Sequence, residues 1–252
     1  MKRVYKVTAW AVGGIVLLCV CVVVAFIIMN REFDKTVIYP DENRIAPADT
    51  IIDVNGVAIK MIGIKGGKID CTGLKETIEL KDFYIGETEV TQALWFAVMR
   101  NNSSIHQGDL LPVENVDLVE CMEFVTKLDS ISGHNFMIPS YPQWLYAGYM
   151  GQMFPADNRT LDGIAWYKNN SGNVTHGVKQ KNPNSLGIYD MLGNVAEWTV
   201  SGSDPLFIAA GGSYETEKEY CNDEHREFDH GKVKSGNLGL RLISYPTGAR
   251  EK

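Results

Sequence analysis

Five cysteines occur in this chain of 252 residues, yet no two of them form a Cys-x-x-Cys pair. That absence removes the usual zinc framework and the thioredoxin-like redox motif. Cationic residues are scarce as well: 24 Lys and Arg stand against 31 Asp and Glu, for a net charge of −7. Lys2, Arg3 and Lys6 sit at the extreme N-terminus, so the remainder has no basic face for phosphate backbones. Nucleic acid is not an expected partner. The run DEHREFDH offers His225, Asp229 and His230, but that histidine spacing fits neither a metalloprotease helix nor a zinc finger. No low-complexity tract or internal repeat occurs, so a single folded unit is expected.

Apolar residues are concentrated at the start. From Val7 to Met29, VTAWAVGGIVLLCVCVVVAFIIM carries no charge. About 23 residues at about 1.5 Å each cover the ~30 Å hydrocarbon core of a bilayer. Cations precede this stretch, which places the N-terminus in the cytoplasm and the rest outside. A cleaved signal peptide has a shorter apolar stretch, about 7–15 residues, and a small-x-small cleavage site. Lipoprotein processing at Cys19 or Cys21 calls for a small residue just before, where Leu18 and Val20 stand. The expected organisation is a cytoplasmic tail over 1–6, a transmembrane anchor over 7–29, a linker over 30–50 and a folded domain over 51–252, periplasmic or at the cell surface. The linker is inferred because 30–50 is polar, contains proline and lacks periodicity.

Cys71, Cys121 and Cys221 are then the exported cysteines. An odd number in an oxidising space leaves at least one unpaired, and buried structural thiols are expected. IIDVNGVAIKMIGI predicts two strands about an Asn55-Gly56 turn. Helices are predicted from Thr91, from Asp117 with Glu120 completing a capping box, and from Ser140 with Gln143 completing another. Leu118, Cys121, Met122, Val125 and Leu128 fall at helical spacing and form the expected apolar face of the second. Beyond residue 150 regular structure is expected to be sparse, with short strands at LFIAAGG and GLRLIS.

In chain order, MIGIKGGKIDCTG, DFYIGETEVTQALWFAVM, LPVENVDLVECMEFVTKL, FMIPSYPQWLYAG, NPNSLGIYDMLGNVAEWT, AAGGSY and NLGLRLI resemble the landmarks of the formylglycine-generating enzyme family, over roughly residues 51–245. The resemblance implies an α+β, loop-rich domain, a variant of the C-type lectin fold, here behind one transmembrane helix. In the enzymes it implies two cysteines of the GGSY segment that bind Cu(I), at which molecular oxygen oxidises a substrate cysteine to formylglycine. Cu(I) is soft and prefers thiolates. Matching the motif onto GGSYETEKEYC puts the second cysteine at Cys221 and the first at Thr216, a hard and neutral ligand. Copper is therefore not expected.

Ala196 is a second departure, because catalytic members carry a tryptophan there as a pocket wall. Ser213 and Tyr214 keep the motif, and Gly211 and Gly212 permit backbone geometry closed to other residues. Cys221 and Ser213 are the candidate catalytic residues. Acidic neighbours such as Glu217, Glu219 and Asp223 are expected to raise the Cys221 pKa rather than lower it. The resemblance further implies a calcium site from the carboxylates of Asp190 and Glu197 and the carbonyls of Gly193 and Val195. Hard oxygens on a tight glycine turn suit Ca²⁺, whose role would be to pin the loops.

Two functions of different class follow. One is a membrane-anchored module that binds a protein, peptide or glycan in the cell envelope. The other is an oxygen-dependent oxidase acting on a cysteine of a protein substrate, with a modified site around Cys221 and Ser213. The broken cysteine pair and the lost tryptophan favour binding.

Overall fold

The computed structural model describes residues 36–71, 77–153, 161–200, 207–222, 226–229 and 231–246, with 226–229 described as backbone alone. The apolar stretch Val7–Met29 and the side chains of the DEHREFDH run lie outside the described residues. Among the described residues no helix is long and apolar enough to cross a membrane. The chain divides into two compact units, 1–37 with 70–77 and 38–69 with 78–252. The first lies almost wholly outside the described residues; the second carries the core and the candidate site.

β1 (Val37–Pro40) already lies inside the stretch expected to be linker, so ordered structure begins upstream of Thr50. β2 (Thr50–Val54) and β3 (Val57–Ile64) pair antiparallel, with Val54 opposite Val57. Between them Asn55 and Gly56 take φ of 53° and 87°, the left-handed pair that a two-residue hairpin turn requires. β4 (Gly67–Asp70), β5 (Thr77–Leu80) and β6 (Phe83–Gly86) follow. β4 lies between β1 and β5 in a three-stranded sheet.

α1 (Gln92–Met99), α2 (Leu118–Ser132) and α3 (Tyr141–Met150) begin at the predicted caps. Thr91 accepts from Leu94 N, and Asp117–Glu120 and Ser140–Gln143 both close reciprocal capping boxes. The apolar face of α2 differs from the prediction in one respect. Leu118, Cys121 and Leu128 are buried, but Met122 is 59% exposed and Phe124 is fully buried. Spacing alone allowed two overlapping stripes. The Trp95 ring of α1, stacked on Phe124 at 4.8 Å, selects the one that carries the aromatic.

β7 (Phe136–Met137) and α4 (Leu161–Ile164) precede the loop-rich part. There β8 (Ala196–Val200), β9 (Phe207–Ala210), β10 (Arg226–Asp229), β11 (Leu238–Gly239) and β12 (Ile243–Ser244) complete the element order. A five-stranded sheet runs β2-β3-β6-β12-β7, and a four-stranded sheet runs β10-β9-β8-β11. β8 was not anticipated, because GNVAEWT carries a turn signal and no alternation. Its partners supply the ladder: β9 antiparallel on one side and β11 parallel on the other. Trp198 of β8 buries its ring in the core shared with α1 and α2, and its Nε1 donates to the Val116 carbonyl at 3.0 Å. That anchor ties β8, and through its ladder β9, to the core, and the GGSY segment leaves directly from the end of β9.

Candidate functional site

Beyond Ala210 the chain turns through Gly211 and Gly212, with φ of 91° and 71°. A Cβ on Gly211 would stand 2.6 Å from the Met191 carbonyl oxygen, so glycine is required there for both reasons. Ser213 to Thr216 forms the next turn. Thr216 N donates to the Ser213 carbonyl at 3.0 Å, and the Thr216 hydroxyl accepts from Ser213 N at 2.8 Å. The residue standing where a copper thiolate is expected is thus a turn-closing hydroxyl.

Cys221 follows the 3-10 turn Lys218–Tyr220 and is 2% exposed. Its Sγ lies 3.8 Å from the Gly211 carbonyl, toward which the thiol donates. Burial pushes the thiol pKa up to about 12. The direction agrees with the sequence argument, but the cause is desolvation and not the acidic neighbours. In the metal-free chain burial therefore favours the protonated thiol of Cys221. Cys71 and Cys121 are buried as well.

A cavity of about 140 Å³ opens beside this turn, lined among others by Ala196, Gly212, Ser213, Thr216, Ser235 and Asn237. Both departures from the oxidase pattern, Ala196 and Thr216, therefore line one space, and Cys221 does not line it. Among the described residues no charged side chain lines it either. Ser213 Oγ lies 3.3 Å from Thr216 Oγ1 and accepts from Glu215 N at 3.2 Å. One of the two hydroxyl protons serves the bond between them. The other has no acceptor among the described residues and is left for solvent or a ligand. Tyr214 holds the segment from behind, its N–H on the Asn194 carbonyl at 2.9 Å and its ring edge-on to His106 at 5.4 Å.

The turn expected to hold calcium is tied to this loop, since Gly193 N donates to the Gly211 carbonyl at 3.1 Å. Asp190, Gly193 and Asn194 all have positive φ, at 54°, 73° and 56°. Glu197, expected as a ligand, is the partner of Arg241. Arg241 Nε lies 3.0 Å from both its oxygens, Nη2 lies 2.7 Å from Oε1, and Trp144 Nε1 donates to Oε2 at 2.7 Å. Three N–H groups make those four contacts, the single Nε–H being shared between the two oxygens.

Asp190 is engaged differently. Its Oδ2 accepts from Lys179 N at 2.8 Å, while Oδ1 is buried with no partner. Glu89, absent from the sequence-based set, lies on the same turn. It is 2% exposed and accepts from Asn194 Nδ2 at 3.1 Å and Val195 N at 3.3 Å. Burial, then the nearby charges of Asp190 and Glu197, push the Glu89 pKa well above the usual carboxylate range. Burial raises Asp190 too. Three buried carboxylates thus stand near one guanidinium, so ionising all three is costly unless a proton or a hard cation compensates. Among the described residues no group of three or more His, Cys, Asp or Glu side chains is placed to hold a metal. Backbone carbonyls would have to complete such a site. Nothing local in the sequence marks Glu89; only the fold brings it to the Gly193 turn.

The family profile of the sulfatase-modifying factor enzyme 1-like domain matches residues 53–245. The chain belongs to that family. The structure of Treponema denticola variable protein 1 superposes with a TM-score of 0.70 at 27% identity, covering 79% of this chain and 100% of that one. PvdO from Pseudomonas aeruginosa shares the fold at TM-score 0.67 and 17% identity, over 78% of this chain and 98% of its own. CarF shares it at TM-score 0.58 and 22% identity, over 75% and 98%. The chaperone protein LppX of Paenibacillus barcinonensis is 30% identical, in an alignment covering 49% of this chain and 63% of the relative. The chain thus spans less than two thirds of that relative's length.

Proposed function

We propose that this chain is a membrane-anchored, extracytoplasmic binding module, a variant of the C-type lectin fold that lacks copper-dependent formylglycine-generating activity. The anchor is the uncharged stretch Val7–Met29, and the bound molecule is a protein, peptide or glycan of the cell envelope. The observation that carries this reading is the state of the two copper-ligand positions. Thr216 accepts from Ser213 N with the only side-chain oxygen it has, and with threonine at that position Cys221 has no second thiol in the GGSY turn to form a soft pair with. The Ala196 and Thr216 cavity is the binding surface, open where an oxidase would be walled by tryptophan. LppX, a relative described as a chaperone, adds weight to a binding role.

The test is oxygen uptake by the full chain, loaded with Cu(I) and offered a cysteine peptide. The expected rate equals that of peptide and copper without protein. Peptide-dependent uptake with matching loss of the thiol would establish the oxidase alternative at Cys221 and Ser213.

The reading includes a structural Ca²⁺ held by Asp190, Glu89 and the carbonyls of Gly193 and Val195, with Glu197 reserved for Arg241. Its role is to neutralise the buried carboxylates and pin the turn that supports GGSY. Calcium at about 100 times its Kd should add about 2.7 kcal/mol, raising the melting temperature by about 5–10 °C. An EDTA-treated chain whose melting is unmoved by added calcium would remove the ion from this reading.

A further inference from the structure

A cavity of about 400 Å³ lies apart from the GGSY loop, against the β2–β3 hairpin. Its size falls in the range of small-molecule pockets, roughly 300–1,000 Å³. Ala58, Leu94, Val178 and Leu242 are among its apolar walls, and Ile51 and Leu110 line it while 69% and 70% exposed. Two large apolar side chains at one opening are left without cover.

The polar groups at the cavity are organised around one carboxylate. Lys60 Nζ lies 2.9 Å from Glu87 Oε1, and Lys179 Nζ lies 2.7 Å from Oε2. Glu87 is only 12% exposed and holds the two ammonium groups side by side, while they remain 38% and 44% exposed. Glu89 is turned to Asn194 and Val195, and Asp49, whose Oδ2 lies 3.8 Å from Lys60 Nζ, stands outside the lining, so the lining itself presents two accessible cations to one anion.

Lys179 shows that this arrangement is built. It has φ of 67°, a left-handed conformation that an unbranched chiral residue adopts at a cost. Its N–H on Asp190 and its Nζ on Glu87 fix it from both ends. Glycine or asparagine would sit there with less strain, yet only lysine presents an ammonium over the cavity.

We propose that this cavity is a second ligand site, taking an apolar body that ends in a carboxylate set on Lys60 and Lys179. The apolar body covers Ile51 and Leu110, and each ammonium has donors left after its bond to Glu87. The site is independent of the reading of the GGSY loop. A free apolar acid and a peptide C-terminus with an apolar last residue offer the same chemistry, and the experiment separates them.

Saturation-transfer NMR on the full chain in lipid nanodiscs, with empty nanodiscs as blank, uses 3-phenylpropionate, its amide, N-acetyl-Ala-Phe and the amidated dipeptide as probes. The acid should bind and its amide should bind at least about tenfold more weakly, since charge-assisted hydrogen bonds are lost. The double variant Lys60→Gln, Lys179→Gln should lose the preference for acid over amide. Ala58→Trp, a change at an exposed strand position, should block both acids while the melting temperature holds. The dipeptide acid binding more tightly than 3-phenylpropionate assigns the site to peptide C-termini; the reverse assigns it to free acids. Equal binding of acid and amide, unchanged binding in both variants, or no transfer above blank at millimolar probe overturns the proposal.

Discussion

Replacing Arg241 with methionine is expected to destabilise the domain by about 3–5 kcal/mol, the cost of removing one partner from a buried ion pair. Arg241 is fully buried, and it serves more than Glu197. Its Nη1 donates to the Gly86 carbonyl at 2.9 Å, and Nη2 donates to the carbonyls of Tyr189 at 2.8 Å and Asp190 at 3.1 Å. One guanidinium therefore ties the end of β6, the turn before β8 and β8 itself to the segment between β11 and β12. Methionine fills much of the space but leaves Glu197 charged and three carbonyls without their donor. Arg241→Lys should also fail, because an ammonium does not span that fork. With a urea slope of about 1–3 kcal/mol per M, the unfolding midpoint of the variant should fall by about 1–5 M. A stability within about 1 kcal/mol of the parent would mean that the pair contributes far less than its geometry implies.

Gly193→Ala is expected to cost about 2–5 kcal/mol, from two sources that add. The residue has φ of 73°, where an L side chain costs about 1–2 kcal/mol. A Cβ would also stand 2.1 Å from the Trp166 carbonyl oxygen and 2.8 Å from its carbon, so backbone has to move. Overpacking of that kind costs about 1–3 kcal/mol. Gly172 separates the two, since it has φ of 66° and a Cβ added there would meet nothing within 4 Å. Gly172→Ala should show only the conformational part. Because Gly193 N bonds the Gly211 carbonyl, Gly193→Ala should also perturb the GGSY loop, readable as alkylation of Cys221 in the folded chain. Equal losses for the two alanines would contradict the steric argument.

Local chemistry was legible wherever the residues that specify a structure are adjacent in the chain. Asn55-Gly56 announced its hairpin, and the Asp117–Glu120 and Ser140–Gln143 boxes announced their helices, because turn geometry and capping are settled within four residues. The family landmarks over roughly 51–245 agree with the matched residues 53–245. What stayed hidden depends on distant partners. Phe124 displaced Met122 from the core because Trp95 lies across from it, and β8 exists because β9 and β11 flank it. Asp190 and Glu197 looked alike as ligands on one turn. Arg241, 44 positions beyond Glu197, distinguishes them by occupying one and leaving Oδ1 of the other bare. Glu89, over a hundred positions from Val195, joins the same turn without any local signal. The departure at Thr216 was legible from the sequence, but the part this residue plays, closing the Ser213 turn, needed coordinates.

Whether the GGSY loop has lost its copper site decides between the two functions. A Cu(I) titration of the full chain against a chromophoric chelator, run in parallel on Cys221→Ser, reads this without an assumed substrate. Superimposable curves are expected, with any metal taken by other thiols unaffected by the substitution. A tight site of one copper per chain that disappears in Cys221→Ser would overturn the assignment.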